Sequence, residues 1–365
     1  SNLEKGGFRE NLLPFVNMDR TFLPGFDGQP YRVAIVSPKP TVVAAEGVVE
    51  GDDRIARDIG RQLSSPDTAI QTAECRLVYD KSVKGVHPWL KGPLVPMELF
   101  HADLRYITFS HEGHRPAPVI LEGRIKFLKD ISFPAGGDPV AVRVLTVISD
   151  NAHDGYRKIA SRHTTSDLDA PISYAQGRGA SPGSEGRFER GAYAYFHPGA
   201  FGSVGVISLD DNLTHRYGNR FLTVGYDMRG KTVKTGEELD YRLLVFASGF
   251  NEPPDTRLPE ELRHQLGLNS QRKVDYTLRI EQGGVIDQEY VLRLDGKGQG
   301  FAGEITLPAG FRVSLPVVVE NLNDKWTSVL YDREKNRLRP LGMHDNTAYC
   351  HRAPNERGGE IFIGH

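Results

Sequence analysis

Cysteine is almost absent from this 365-residue chain, which contains only Cys75 and Cys350. Two cysteines are too few for a disulfide framework or for a zinc site built from thiolates. Two alternatives are left, one long-range disulfide or two buried free thiols, and we expect the second. The chain is long enough to bury a sizeable core and exceeds the usual size of one domain.

Long apolar runs and basic blocks are also lacking. No apolar run approaches the roughly 20 residues that a membrane helix needs, and the first residues, SNLEKGGFRE, lack the apolar core of a signal peptide. Lys and Arg number 45 against 47 Asp and Glu, without a basic block that would neutralise phosphates. We therefore expect a soluble form, no membrane insertion and no nucleic-acid partner. The oligomeric state is left open.

The common nucleotide and hydrolase motifs are missing as well. The segment FGSVG does not have the G-x-S-x-G spacing, and no G-x-G-x-x-G opens a helix after a strand. The histidines do not form the H-E-x-x-H motif of a zinc helix. These absences exclude dinucleotide chemistry. No motif in the sequence identifies a reaction.

Short strands separated by turns are what the sequence has in abundance. Its 39 Gly and 23 Pro predict many turns. Between the turns lie segments rich in Val, Ile, Leu, Tyr and Phe, which predict strands at 31–37, 74–80, 97–113, 118–133, 141–149, 191–197, 221–228 and 239–249. Helical patterns are confined to 51–65 and 255–267. The fold class is therefore all-β with two short helices.

The spacing of strands changes after the second helical pattern. From residue 273 onward, short strands follow one another closely, which is typical of a compact β-sandwich. We predict a large antiparallel β-sandwich domain over 1–250, a linker with a short helix over 251–272, and a small β-sandwich domain over 273–365.

The large antiparallel first domain, at about residues 30–250, followed by a small sandwich, resembles the galactose-mutarotase-like β-supersandwich of carbohydrate-active proteins. The resemblance is one of architecture and carries over no catalytic residue. It implies a sugar-related function, with a site on the concave face of the large sheet. A fold by itself does not fix a function.

The segment between the strands ending near Ile148 and starting near Gly191 is a long stretch with few apolar residues. About 40 residues of low apolar content are far more than the usual connection. The segment is either a solvated connection or a site-bearing loop. Its candidate catalytic residues are His153 or His163 as base, Tyr156 as acid and Arg162 as partner of a substrate carboxylate.

A second polar cluster lies on the predicted strand around residue 103. With a period of two, His101, Asp103 and Arg105 share one face of that strand. This row is either the floor of a polar cleft, with His101 and Arg105 as further catalytic candidates and Asp103 as a substrate-binding residue, or a solvent-facing surface with cross-strand ion pairs.

Aromatic residues supply the third set of candidates. Tyr193, Tyr195 and His197 alternate along one strand, where they form either a platform for a sugar ring or part of the core. Trp89 lies in a loop rich in Pro and Gly and is a candidate contact residue for the substrate.

No cofactor is predicted, although two segments offer clustered oxygen ligands of the kind that Ca²⁺ prefers. They are Asp150, Asn151 and Asp154, and Asp210, Asp211 and Asn212. Neither set matches an EF-hand, and turns rich in Asp and Asn look the same.

We therefore expect a carbohydrate-active protein whose partner is a polysaccharide or oligosaccharide. If the protein is an enzyme, polysaccharide lyase or glycoside hydrolase chemistry is the compatible class. A hydrolase that uses a pair of carboxylates is a further alternative. The alternative is a non-catalytic glycan-binding or structural module of a larger secreted or surface protein. A glycan-active role favours a periplasmic or extracellular location. In an enzyme, the strand at 101–105 and the segment at 153–163 should meet in one pocket.

Overall fold

The computed structural model describes residues 8–11, 15–16, 34–36, 41–44, 47–50, 69–79, 97–108, 118–137, 139–149, 158–162, 173–176, 185–197, 203–217, 221–248, 257–268, 274, 276–311, 315–323, 327–332, 337–340, 342–344, 346–352 and 358–364. In several strands, including those at 158–162 and 173–176, only the backbone is described. The predicted helix at 51–65 and the candidates Trp89, His153, Tyr156 and His163 lie outside the described residues.

The first part of the chain forms nineteen described strands. They are β1 (Phe8–Asn11), β2 (Phe15–Val16), β3 (Ala34–Val36), β4 (Thr41–Ala44), β5 (Gly47–Glu50), β6 (Ala69–Tyr79), β7 (Met97–Thr108), β8 (Val119–Phe127), β9 (Ile131–Ser132), β10 (Val142–Ser149), β11 (Lys158–Arg162), β12 (Ser173–Gln176), β13 (Glu185–Phe188), β14 (Tyr193–His197), β15 (Ser203–Ser208), β16 (Leu213–Tyr217), β17 (Phe221–Tyr226), β18 (Thr232–Val233) and β19 (Glu238–Ser248).

One described helix and ten strands follow. They are α1 (Arg257–Gln265), β20 (Thr277–Gln282), β21 (Gly284–Gln288), β22 (Leu292–Asp295), β23 (Phe301–Thr306), β24 (Leu315–Glu320), β25 (Thr327–Asp332), β26 (Arg337–Pro340), β27 (Gly342–His344), β28 (Thr347–Arg352) and β29 (Gly358–Gly364). The all-β class predicted from the sequence is confirmed. The described part of the chain has no helix long and apolar enough to cross a membrane.

Two sheets dominate the first part. The large sheet has eleven strands in the order β12-β11-β14-β15-β19-β8-β7-β6-β4-β5, with β3 also pairing with β6. The six-stranded sheet has the order β1-β10-β17-β16-β13, with β2 also pairing with β10. Strands from β20 onward form two five-stranded sheets, β20-β23-β29-β25-β26 and β21-β22-β24-β28-β27. The pairing of β22 with β24 is parallel, which closely spaced hairpins alone would not give.

The large sheet buries one of its faces, which we call the sandwich face. Phe100 of β7 and Phe127 of β8 lie on it with their rings 6.2 Å apart in an edge-to-face arrangement. Gly123 leaves room there for the ring of Tyr241 on the neighbouring strand. The hydroxyl of Tyr226 in the six-stranded sheet donates a hydrogen bond to the backbone carbonyl of Asp240 in the large sheet. The alternation of buried apolar residues in β8 therefore contributes to the sandwich core.

The opposite face of the large sheet, which we call the second face, is covered in its middle. Ile107, Ile120, Leu244, Ile207 and Tyr193 occupy neighbouring positions on β7, β8, β19, β15 and β14, and all five are buried. They belong to one hydrophobic cluster with side chains of α1 and of β22, β23, β24 and β28. Each fully buried aliphatic or aromatic side chain contributes about 1.5 to 3 kcal/mol, so this contact is a major part of the core.

Helix α1 ends where the sequence predicts. The amide of Leu268 donates to the carbonyl of Arg263 at 2.7 Å, the amide of Gly267 donates to His264, and Gly267 adopts a φ of 67°. This pair of hydrogen bonds with a left-handed glycine is the Schellman arrangement that stops a helix. The division of the chain at residues 250 and 273 stays a prediction.

Candidate functional site

The polar segment between Ile148 and Gly191 contains three strands rather than one long connection. Strand β11 pairs with β12 and with β14, so β11, β12 and β14 form one end of the large sheet. Strand β13 lies in the six-stranded sheet. The sequence KIASR of β11 hides its alternation because Ala160 and Ser161 are small, whereas Ile159 does face Phe196 across the pair. The expectation of an unbroken loop was wrong for this reason.

The register at this end of the large sheet brings polar and aromatic residues onto one face. Ala160 lies between Tyr174 of β12 and Tyr195 of β14. Lys158 lies between Gln176 and His197 in the next row. Directly opposed residues in antiparallel strands share a face, so these positions belong to one surface.

We call this set of positions the edge patch, because β12 is the last strand of the large sheet. It is defined by seven register positions, which are Lys158, Ala160, Arg162, Tyr174, Gln176, Tyr195 and His197. It lies on the second face, since Arg162 is opposite Tyr193, and Tyr193 is opposite the buried Ile207. Three of the predicted site residues, Arg162, Tyr195 and His197, are therefore brought together with Tyr174, which the sequence interpretation did not single out.

Tyr193 has another role than the one predicted. Its side chain is fully buried, its hydroxyl donates to Glu260 of α1 at 3.2 Å, and the guanidinium of Arg263 lies 5.9 Å from its ring centre. A ring covered in this way offers no face to a sugar, so the assignment of Tyr193 to a stacking platform is corrected. Tyr193 instead fixes β14 to the helix, two residues before Tyr195.

The turn before β14 is fixed to the C-terminal part of the chain as well. Arg190 is buried, donates to Glu289 at 2.6 Å and reaches the carbonyl of Gly267 at 3.4 Å. Gly191 follows with a φ of 79°. Strand β14 is thus held at its start by contacts that do not depend on a ligand, which gives the edge patch a rigid side.

The second predicted cluster, His101, Asp103 and Arg105, splits between two environments. Asp103 is exposed and lies opposite Arg124, which pairs with Asp240 at 2.7 Å across the next strand. His101 is half-buried and lies opposite Lys126. For Asp103, the described contacts fit the alternative of a wet sheet surface with cross-strand ion pairs.

Arg105 belongs to a largely buried charged cluster under the C-terminal sheets. It lies 3.6 Å from the carboxylate of Glu122, which also accepts hydrogen bonds from Arg293 and, at 3.2 Å, from the hydroxyl of Tyr290. Arg293 in turn donates to Glu320 at 3.0 Å. We call Arg105, Glu122, Tyr290, Arg293 and Glu320 the buried ion cluster. This cluster joins the large sheet to β22 and β24. Arg105 therefore takes part in a contact between two sheets.

A neighbouring acidic group shows how strongly this region is desolvated. Burial raises the pKa of Asp210, and the attraction of Arg242 and Arg190 lowers it by less. Its Oδ1 atom accepts hydrogen bonds from Arg242 at 2.8 and 2.9 Å. Asp210 is thus engaged by a guanidinium, and a calcium site at Asp210, Asp211 and Asn212 stays a prediction. Within the described residues, no group of three or more His, Cys, Asp or Glu side chains is placed to hold a metal ion.

The edge patch and the strand that carries His101 and Arg105 lie far apart. Strands β14, β15, β19 and β8 separate β11 from β7. At the usual strand spacing, five steps along the sheet amount to about 24 Å. The second face between them is filled by the hydrophobic cluster beneath α1 and the C-terminal strands. Arg162 and Arg105 therefore do not line a common small pocket on this face.

Comparisons with known proteins add little to this geometry. No protein-family model matches the chain, and no curated protein matches its sequence. Among solved structures, the galactosidase domain of alpha-galactosidase-sucrose kinase, AgaSK, is similar over 60% of this chain and 28% of that chain, with a TM-score of 0.32 and 10% sequence identity. This chain thus spans less than a third of that structure. A likeness at this level carries no argument, so the function has to be inferred from the residues.

Proposed function

We propose that this chain binds an oligosaccharide or polysaccharide through the edge patch. The observation that carries the proposal is the row of Tyr174, Ala160 and Tyr195 across three adjacent strands. Two strand steps separate the tyrosine positions by about 10 Å, with a small residue between them. Aromatic rings combine an apolar surface with a polar hydroxyl, which suits the C–H faces and hydroxyl groups of sugars.

The row beside the tyrosines supports the same function. Gln176, Lys158 and His197 lie next to one another across the same three strands. Amide, ammonium and imidazole groups donate hydrogen bonds, and Gln176 also offers an acceptor. A few such polar groups beside an apolar surface are what a specific small-ligand site needs.

Binding is favoured over catalysis because two of the predicted catalytic residues, Arg162 and Arg105, lie on strands far apart in the described part of the large sheet. Arg162 lies in the edge patch, whereas Arg105 lies in the buried ion cluster beyond four intervening strands. Lyase or hydrolase chemistry through His153, Tyr156 or His163 stays a prediction, because these residues lie outside the described part of the chain. A spectroscopic assay for unsaturated uronate products, with His153→Ala and His163→Ala variants, tests it separately.

Replacing Tyr195 or Tyr174 by alanine is expected to weaken glycan binding about tenfold or more, since a central aromatic anchor contributes at least about 1.4 kcal/mol. The measurement is a screen of the purified chain against immobilised neutral and acidic polysaccharides, followed by calorimetric titration of the glycan that is retained. Ala160→Gln, which puts a larger side chain between the tyrosine positions, should weaken binding as well.

Val285→Ala is the control for these variants, because it shortens an exposed side chain on β21 in a different sheet. It should bind like the wild type. Unchanged affinity in both tyrosine variants, with circular dichroism spectra like that of the wild type, would move the site away from the edge patch.

A further inference from the structure

The strands that carry the edge patch, together with the adjacent β15, differ in charge from the next two strands of the large sheet. The sequences of β11, β12, β14 and β15 are KIASR, SYAQ, YAYFH and SVGVIS, and none contains Asp or Glu. The next two strands in the sheet, β19 and β8, carry three carboxylates on the second face, at Glu238, Asp240 and Glu122. The described strand residues at this end of the sheet are thus without Asp or Glu, in a chain with 47 acidic residues.

Basic residues occupy the edge patch on both sides of the tyrosine row. Lys158 lies two residues before Ala160 on β11, and Arg162 lies two residues after it. His197 is opposite Lys158 on β14. Neighbouring positions on one face of a strand are about 7 Å apart, so a sugar ring over the tyrosine row has a cationic position on either side.

This arrangement discriminates between classes of glycan. A neutral sugar gains little from a long cationic side chain, whereas a carboxylate or sulfate group on the ring gains a charge-assisted hydrogen bond. Arginine recognises a carboxylate through two parallel hydrogen bonds, and lysine acts as a point charge. The residues of these four strands themselves contribute no carboxylate that would repel an anionic ligand.

We propose that the edge patch takes an anionic glycan, one that bears carboxylate or sulfate groups, and that Lys158, Arg162 and His197 recognise its charge. This rests on the proposed glycan-binding function and deepens it. Tyr174 and Tyr195 hold the ring, and the flanking cations select the charged members of the class.

The test uses three ligands, of which the first two share one backbone and differ in the charge of their carboxyl groups. They are a polyuronate, the same polymer with its carboxylates methyl-esterified, and a sulfated galactan, each titrated into the purified chain at low and at physiological salt. We expect at least one anionic polymer to bind about tenfold or more tightly than the esterified polymer. Its affinity should fall with added salt. The stronger of the two anionic polymers identifies the better starting ligand for defining the preferred sugar and anionic group.

Lys158→Met and Lys126→Met form a matched pair of variants. Both lysines lie on the second face of the large sheet, and Lys126 is exposed on β8 at the opposite end of the strands. Lys158→Met and Arg162→Gln should each reduce the preference for the anionic polymer several-fold, whereas Lys126→Met should keep it. An unchanged preference in Lys158→Met, Arg162→Gln and His197→Gln would overturn the assignment of the charge-recognising residues.

The remaining outcomes separate the two proposals. Equal affinity for the polyuronate and its methyl ester, lost in Tyr195→Ala, would keep glycan binding and overturn anion selection. Retention of none of the polymers would overturn both. A single-stranded oligonucleotide that binds as tightly as the anionic glycan would show general attraction to polyanions and would overturn the proposal, because basic and aromatic residues also serve nucleic acids.

Discussion

Replacing Glu122 by alanine is expected to lower the free energy of unfolding by about 3 kcal/mol or more, because it leaves buried cations without their anion. Only 12% of the Glu122 side chain and 15% of the Arg293 side chain are exposed. The carboxylate is held by Arg293, Tyr290 and Arg105 together. Urea unfolding of wild type and variant, followed by circular dichroism, measures the difference.

Glu238→Ala is the matched control, since Glu238 pairs with Arg124 on the same face but 42% of its side chain is exposed. An exposed pair of this kind contributes about 0 to 1 kcal/mol. The double variant Glu122→Ala with Arg293→Ala should lose less than the two single variants combined, since the second change removes a charge that the first has left unpaired. Equal losses in Glu122→Ala and Glu238→Ala would contradict the picture of a buried ion cluster.

The same cluster predicts a pH dependence. Burial alone raises the pKa of Glu122, but Arg293, Arg105 and the Tyr290 hydroxyl outweigh it and hold the pKa below the ordinary glutamate value. A carboxyl group with a lower pKa in the folded state stabilises the fold above its unfolded pKa, and that contribution is lost as the pH falls through the folded value. The unfolding free energies of wild type and Glu122→Gln should therefore converge as the pH falls below the ordinary glutamate pKa and through the lower folded value.

Gly191→Ala is expected to lower the free energy of unfolding by about 2 to 4 kcal/mol, from backbone strain together with a steric clash. Gly191 has a φ of 79°, which side chains of L-residues rarely adopt. A Cβ atom at this position would overlap the backbone carbonyl oxygen of Leu268, directly after α1. The carbonyl belongs to the backbone, and a Cβ atom is bonded directly to the backbone and has no rotamer to change. The overlap is therefore relieved only if the helix end moves away from β14.

Gly236→Ala separates the strain from the clash. Gly236 has a φ of 89°, and no heavy atom lies within 4 Å of the position that a Cβ would occupy. Gly236→Ala should cost only the strain, about 1 kcal/mol. Thermal and urea unfolding of the two variants measure the difference, and equal losses would show that Leu268 does not constrain Gly191.

Much of the fold could be predicted from the sequence, because its signals are local. The alternation around Ile125 and Phe127 locates β8, and Gly267 marks the end of α1. Strand β11 escaped prediction because Ala160 and Ser161 carry no hydrophobic contrast. Tyr174 was therefore not recognised as a neighbour of Tyr195, since their proximity depends on the pairing of three strands.

The packing of the C-terminal strands on the second face of the large sheet could not be predicted for another reason. Glu122, Arg124 and Lys126 alternate with apolar residues along β8, which is the pattern of a strand with one wet face. Only the structure shows that Glu122 meets Arg293 while Arg124 and Lys126 stay exposed. Charged residues that are paired across distant parts of a chain look the same in a sequence as charged residues in water.

The hydrophobic cluster that runs from Ile107 through Leu262 to Val318 also bears on how the chain folds and can be divided. A cut in the segment around α1 would expose apolar surface on both pieces, and each piece would tend to aggregate. We therefore expect the C-terminal sheets to be less stable when they are produced without the first part of the chain. Removing either part would take away neighbours of buried side chains in the other part, so the stabilities of the two parts should depend on each other.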